Sequence, residues 1–285
     1  MTSQIKTVLL LALLTGLLML IGGAMGGRGG LMVAFVLAMA MNVGSYWFSD
    51  RMVLSMYRAR VLSRADAPGL FAIVEELSRN AGIPMPRVAL IPQEAPNAFA
   101  TGRDPQHAVV AVTEGIMRLL SPEELRGVLA HEIGHVANRD ILVQSIAGVL
   151  AGVIMYVASM IKWATLFGFG GRSGDGEGGN PVAALALAFV APVAAMLIQM
   201  AISRSREYLA DEAGARYSGA PEQLASALAK ISGYAQQVPM RAGNEATAHM
   251  FIINPFSAGG VASLFSTHPP VQERISRLLA MAGRR

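Results

Sequence analysis

Residues 131–135 read His-Glu-Ile-Gly-His. On a helix, positions i and i+4 share a face one turn apart, so His131 and His135 can hold one divalent cation between their imidazoles. Glu132, beside the first of them, is placed to reach a water at the ion's open position rather than the ion. This is the arrangement of zinc hydrolases, which use three protein ligands and leave a fourth position open. The third ligand must come from elsewhere, because the chain continues Val-Ala-Asn-Arg-Asp with no third histidine and has no cysteine. The stretch Ser-Arg-Glu-Tyr-Leu-Ala-Asp at 205–211 puts Glu207 and Asp211 on one helical face. Glu207 suits a metal ligand, and Asp211 suits an acceptor that fixes the tautomer of a ligand imidazole. The neighbouring Arg204 and Arg206 leave a second reading open, in which both acids are surface charges.

These residues sit in an unusual setting. Apolar residues make up 53% of the 285 and charged residues only 15%, against about 25% in ordinary soluble domains. The apolar excess lies in blocks at 8–25, 31–48, 141–169 and 182–202. Blocks of this length read as membrane spans. Gly-Gly-Arg-Gly-Gly joins the first two into a hairpin, and a Gly-rich polar loop joins the last two. Lys6, Arg51, Arg58, Arg60, Arg64, Arg204 and Arg206 fall on one side of a four-span arrangement, with Arg28 and Arg172 on the other. The positive-inside rule therefore places both termini and the intervening polar segments in the cytoplasm. The same clustering accounts for the net charge of +4 without nucleic acid as a partner. The absence of cysteine excludes disulfides, thiolate metal sites and thiol catalysis.

The elements that must position the site follow from periodicity. The chain divides into an N-terminal hairpin (1–48), a first catalytic segment (49–140), a second hairpin (141–202) and a second catalytic segment (203–285). An amphipathic helix is expected over 67–81. Three short strands, Pro-Arg-Val-Ala-Leu-Ile-Pro, Asn-Ala-Phe-Ala-Thr-Gly and His-Ala-Val-Val-Ala-Val-Thr, suggest a small antiparallel sheet. Ser121, Pro122 and Glu124 form the start signal of the helix that carries 131–135. Helices are also expected from 203 to Gly219, after Ala220, and at the C-terminus. His131 and His135 run almost directly into the third apolar block, and that block's partner returns into 205–211. A membrane hairpin thus connects the two ligand-bearing helices. His107 and His249 fit no motif and read as structural.

The N-terminal hairpin, Asn-Ala-Phe-Ala-Thr-Gly, His-Glu-Ile-Gly-His, the second hairpin, Ser-Arg-Glu-Tyr-Leu-Ala-Asp and Ser-Thr-His-Pro-Pro occur in one order along the chain. In this the sequence resembles the HtpX family of bacterial heat-shock membrane zinc proteases, related to the CAAX prenyl endopeptidases. The resemblance implies a mainly α membrane protein: four transmembrane helices with a cytoplasmic α+β metallopeptidase domain of the gluzincin type. It implies one zinc ion on His131, His135 and Glu207, with Glu132 as base and then acid. It implies that Asn97, Ala98, Phe99, Ala100 and Thr101 form an edge strand that holds substrate backbone. His268 and Arg274 would lie near the site, where His268 donates to the developing oxyanion; a helix cap and an ion pair are the alternative for these two. The implied setting is the bacterial inner membrane, with misfolded or damaged membrane proteins as substrates. A processing protease for one anchored substrate, or a metal-binding scaffold without activity, would share many of these features.

Overall fold

The computed structural model describes residues 3–146, 206–235, 252 and 269–283. The N-terminal apolar sequence forms helix α1 (Ser3–Met56), which folds back on itself at Gly26 and Gly27. Gly27 has a φ of 52°, a left-handed conformation that glycine adopts without steric penalty. The two arms pack closely: a Cβ on Gly22 would collide with Ala34 and with the Gly30 carbonyl. Farther along, Asn42 Nδ2 donates to Thr15 Oγ1 at 2.9 Å, an inter-arm bond of the kind that small polar side chains supply in lipid. Ala34, Ala38, Ser45 and Ser49 are buried, whereas Met32, Val33, Val36, Leu37, Trp47 and Phe48 are exposed. Gly26–Met56 is long and apolar enough to cross a bilayer. Of the second expected hairpin only 141–146 is described, and it is helical; the rest lies outside the described residues.

Strands β1 (Arg60–Val61), β2 (Arg87–Ile91), β3 (Ala98–Thr101) and β4 (Val109–Thr113) form one sheet in the order β1-β2-β4-β3. The expected antiparallel sheet is in fact mixed, because β2 and β4 run parallel. The cause is topological. Strand β3 is placed at the outer edge, and the tight β3–β4 return then inserts β4 between β3 and β2, antiparallel to the former. All five residues of β4 are buried, as a central strand covered on both faces requires.

Alternate residues serve opposite faces. Val88, Ala98, Ala100, Val110 and Val112 join the core shared with helix α2 (Pro68–Ala81) and helix α4 (Pro122–Ala137). Ala89, Ile91, Phe99, Val109 and Ala111 pack instead on Val53, Leu54 and Tyr57 at the end of α1. The last turns of the apolar helix are therefore a layer of the domain, and Arg87 fixes them further through a 2.6 Å ion pair with Asp50.

Helix α2 ends where expected, at Gly82, whose φ of 66° lets its N–H and that of Ile83 close the last turn. A short helix α3 (Glu114–Leu119), capped by Thr113, was not evident from periodicity. Helix α4 starts with the expected capping box: the Ser121 hydroxyl accepts from the Glu124 N–H, and Glu124 Oε2 accepts from the Ser121 N–H at 2.9 Å. It does not run on into the third apolar block, however. It stops at Ala137, the chain turns through Arg139 at a φ of 55°, and a new helix begins at residue 141. Helix α5 spans 206–218 and ends at Gly219, with φ 70°. Helices α6 (Pro221–Ala235) and α7 (Val271–Ala282) follow.

Glu124 ties these parts together, since it also accepts from Ser226 at 2.7 Å and pairs with Lys230 at 2.7 Å, both on α6. Glu124→Ala removes a cap and leaves two partners unpaired. We predict a loss of about 2 kcal/mol of stability, read as a lower Tm of the detergent-purified protein. An unchanged Tm would mean that the cap and the α6 contacts contribute nothing.

Candidate metal centre

Helices α4 and α5 cross with almost nothing between them. A Cβ on Gly134 would lie 3.1 Å from the Ala210 carbonyl oxygen, and one on Gly214 would lie 2.9 Å from the His131 backbone nitrogen. Glycine at these two positions lets the backbones approach until Glu207 reaches the histidine pair. His131, His135 and Glu207 are all buried and bring one ligand atom each to a common point. The two Nε2 atoms are 3.2 Å apart, and Glu207 oxygens lie 3.5 Å from that of His135 and 3.7 Å from that of His131. Two nitrogens at tetrahedral zinc distances would be about 3.3 Å apart.

The surrounding charges test whether a cation fits. Among the described residues, the cluster buries the carboxyl groups of Glu132, Asp140, Glu207 and Asp211 and the guanidiniums of Arg206 and Arg274. Four carboxylates against two guanidiniums leave a deficit that one divalent cation balances. In the metal-free protein, protons make up the difference. Burial, and secondarily Glu207, push the Glu132 carboxyl up to about 8, against opposing pulls from His135, Arg274 and the Ala100 N–H. Burial works against charge on His135, but Asp140 and Glu207 outweigh it and push the imidazole well above its ordinary range. The donor set and the charge deficit both fit a divalent metal.

The remaining expected residues are placed as follows. Asp211 Oδ1 lies 2.9 Å from His131 Nδ1, leaving Nε2 to face the common point. Burial opposes the Asp211 charge, but Arg274 and His131 outweigh it and hold the carboxyl below its usual range. Arg274 is fully buried; its Nε and one terminal nitrogen bond Asp211 at 2.9 and 2.7 Å, and the other lies 3.1 Å from Glu207 Oε2. It therefore clamps Glu207 and Asp211 of α5 from α7. His268 lies outside the described residues.

Asn97 to Thr101 are buried and form or adjoin the sheet's edge strand, β3. Two backbone groups at this edge are already engaged. The Ala98 carbonyl accepts from the Ile252 N–H at 3.3 Å, and the Ala100 N–H bonds the Glu132 carboxyl. The Ile252 carbonyl in turn accepts from Arg274 at 2.9 Å.

Two residues of the cluster were not expected there. Asp140 faces the Nδ1 of His135, and Arg206, grouped above with the interfacial anchors, is buried beside Asp140 and Glu207. A ligand histidine generally needs a partner on its other nitrogen, and Asp140, five residues beyond His135, was the nearest acid able to supply it.

A stability consequence follows for the metal-free protein. With a folded pKa raised from 4.5 to about 8, Glu132 stays protonated in the folded chain while the unfolded chain ionises above 4.5. Folding stability is therefore lost as pH rises through this window. Glu132→Gln removes the loss. Its advantage over wild type should be negligible near the lower limit and grow to roughly a few kcal/mol at the upper one. Thermal unfolding of both chelator-treated proteins across this range checks it; parallel pH profiles would contradict it.

The sequence of residues 64–282 matches the model of peptidase family M48. The "Protease HtpX homolog" of Syntrophobacter fumaroxidans is 60% identical over 283 residues, covering 99% of this chain and 100% of the relative. That of Pyrococcus furiosus is 56% identical over 278 residues, covering 98% and 96%. The crystal structure of S. mikatae Ste24p shares the fold, with a TM-score of 0.54 at 19% identity over 93% of this chain; the match spans 62% of that longer protein. The chain belongs to peptidase family M48 and, within it, to the HtpX-type proteases, which makes it a membrane-associated metalloprotease.

Proposed function

We propose that the protein is a zinc-dependent endopeptidase that hydrolyses peptide bonds of misfolded or damaged membrane proteins at the cytoplasmic face of the bacterial inner membrane. The observation that carries the reading is the convergence of His131, His135 and Glu207 in a buried cluster with Glu132 one residue from a ligand. Two imidazoles and a carboxylate favour zinc among the available metals. A charge-balanced site that keeps an unligated carboxyl beside the ligands suits hydrolysis better than a closed structural site. The cytoplasmic orientation is supported by the clustering of Lys6, Arg51, Arg58, Arg60, Arg64 and Arg204 on one side of the four-span arrangement expected from the sequence.

Zinc, when bound, lowers the pKa of water and polarises the scissile carbonyl. His131, His135 and Glu207 would hold it. With a cation held there, the Glu132 carboxyl would fall from its raised value and could act as a base near neutral pH. Glu132 then takes the proton of the attacking water and passes it to the leaving amine. Turning to that task frees the Ala100 N–H. An extended substrate backbone can then add to the edge of β3, where main-chain bonds give affinity without sequence choice. Selection of unfolded segments would follow from that mode of binding. Arg274 is committed to Asp211, Glu207 and the Ile252 carbonyl; the family resemblance assigns the oxyanion to His268.

The test compares the detergent-purified wild type and Glu132→Ala on an unfolded protein substrate with zinc supplied. Wild type should cleave it, and the variant should retain zinc but lose activity by about 10²- to 10⁴-fold, the usual worth of a general base. Full cleavage by the variant would reject the assignment of Glu132. Activity of wild type undiminished after zinc removal would reject the metal mechanism.

A further inference from the structure

Each ligand histidine is backed by a carboxylate on its far nitrogen, and each carboxylate has a buried arginine beside it. On the α5 side the series is Arg274, Asp211, His131. For His135 the series is Arg206, also on α5, then Asp140 and His135. Both Oδ atoms of Asp140 lie 3.2 Å from His135 Nδ1, and both side chains are buried. Arg206 is 4% exposed, its two terminal nitrogens have no hydrogen-bond partner among the described residues, and its charge acts on Asp140 and Glu207. From the structure we infer that Asp140 is the positioning residue of the second ligand histidine: it holds the His135 Nδ1–H and so presents Nε2 to the metal.

The backbone is built for this. If α4 continued unbroken into the apolar block, residue 140 would lie more than a turn beyond His135 and face another direction. The chain instead leaves the helix at Asn138 and reverses at Arg139 in the left-handed region, with φ 55°. The Asp140 N–H then bonds back to the His135 carbonyl at 3.3 Å. The Asp140 carbonyl accepts from the Gln144 N–H at 3.1 Å, which opens the helix leading to the apolar block. A non-glycine residue in that conformation is held by its surroundings. What the turn achieves is the return of a carboxylate to the imidazole. It also makes the first turn of the apolar segment part of the metal's support, since displacement of that helix would move Asp140.

Asp140 also begins a helix, so the rival role is an N-cap. Substitutions separate the two. Asp140→Ser keeps a good cap but is too short to reach His135, and Asp140→Asn keeps cap and shape but loses the charge. The inference rests on the metal reading proposed above, so the readout is zinc affinity by chelator competition and the visible spectrum of the cobalt-substituted protein, alongside Tm. Asp140→Ser should weaken zinc binding about 10- to 100-fold, the usual effect of removing such a partner, and alter the cobalt bands. Asp140→Asn should give a smaller change in the same direction, and the near-isosteric change keeps the test valid if the serine variant fails to fold. Wild-type affinity and spectrum in both variants, or in Asp140→Asn if it alone folds, would overturn the inference and leave the metal site standing. Failure of wild type to bind zinc at all would overturn both.

Discussion

The contact on which the rest of the structure depends is the crossing of α4 and α5 through Gly134, Ala210 and Gly214. These helices come from parts of the chain separated by the third and fourth apolar blocks, so no local sequence feature holds them together. Their small residues let the backbones touch, and only at that separation do two imidazoles and a carboxylate come within 3.7 Å of one another. A larger side chain at either glycine would push Glu207 away from the histidines. Everything else can be understood as support for this crossing. The sheet and α2 pack behind α4, Glu124 pins the start of α4 to α6, and Arg274 on α7 grips α5 by Glu207 and Asp211.

Burying so many ionised groups would be costly without a cation. An isolated buried charge is strongly disfavoured, and a network is tolerated only when its members satisfy one another. Here the arginines offset part of the carboxylate charge, and protons or a metal must offset the remainder. This is why Glu132 and His135 hold on to protons in the metal-free protein, and why zinc binding should be accompanied by proton release. The same economy bears on the general base: Glu132 is neither a ligand nor the partner of a ligand imidazole, and burial pushes its carboxyl up. The domain is anchored beside the bilayer because the last turns of α1 form one layer under the sheet, through Val53, Leu54 and Tyr57.

Much of this was legible in the sequence, where the signal is local. Ligand spacing at 131–135, the pair at 207 and 211, the capping box at Ser121 and the glycine stop at 219 depend only on neighbours along a helix. The mixed sheet was not legible. Three short strands with turn residues between them do not reveal that β3 goes to the outside and β4 returns inside. The break at 138–140 was hidden for a related reason: an arginine in the left-handed region carries no sequence mark, so the ligand helix seemed to run straight into the apolar block. That error conceals Asp140. Arg206 was misplaced by a rule that works for exposed flanks of spans and takes no account of burial. The family resemblance supplied Glu207 as a ligand where spacing had left surface charge equally open, and the geometry brings it to the histidines.

The chemistry of the protein rests on the ligand set. Zinc-edge X-ray absorption on the purified wild-type protein and Glu207→Gln tests it most directly. Two imidazole nitrogens and a carboxylate oxygen are expected around the wild-type metal, with a further light-atom position open to solvent, and loss of the carboxylate shell with weakened binding in the variant. An identical coordination shell in both proteins would show that Glu207 is not a ligand and that the crossing of α4 and α5 does not build the site.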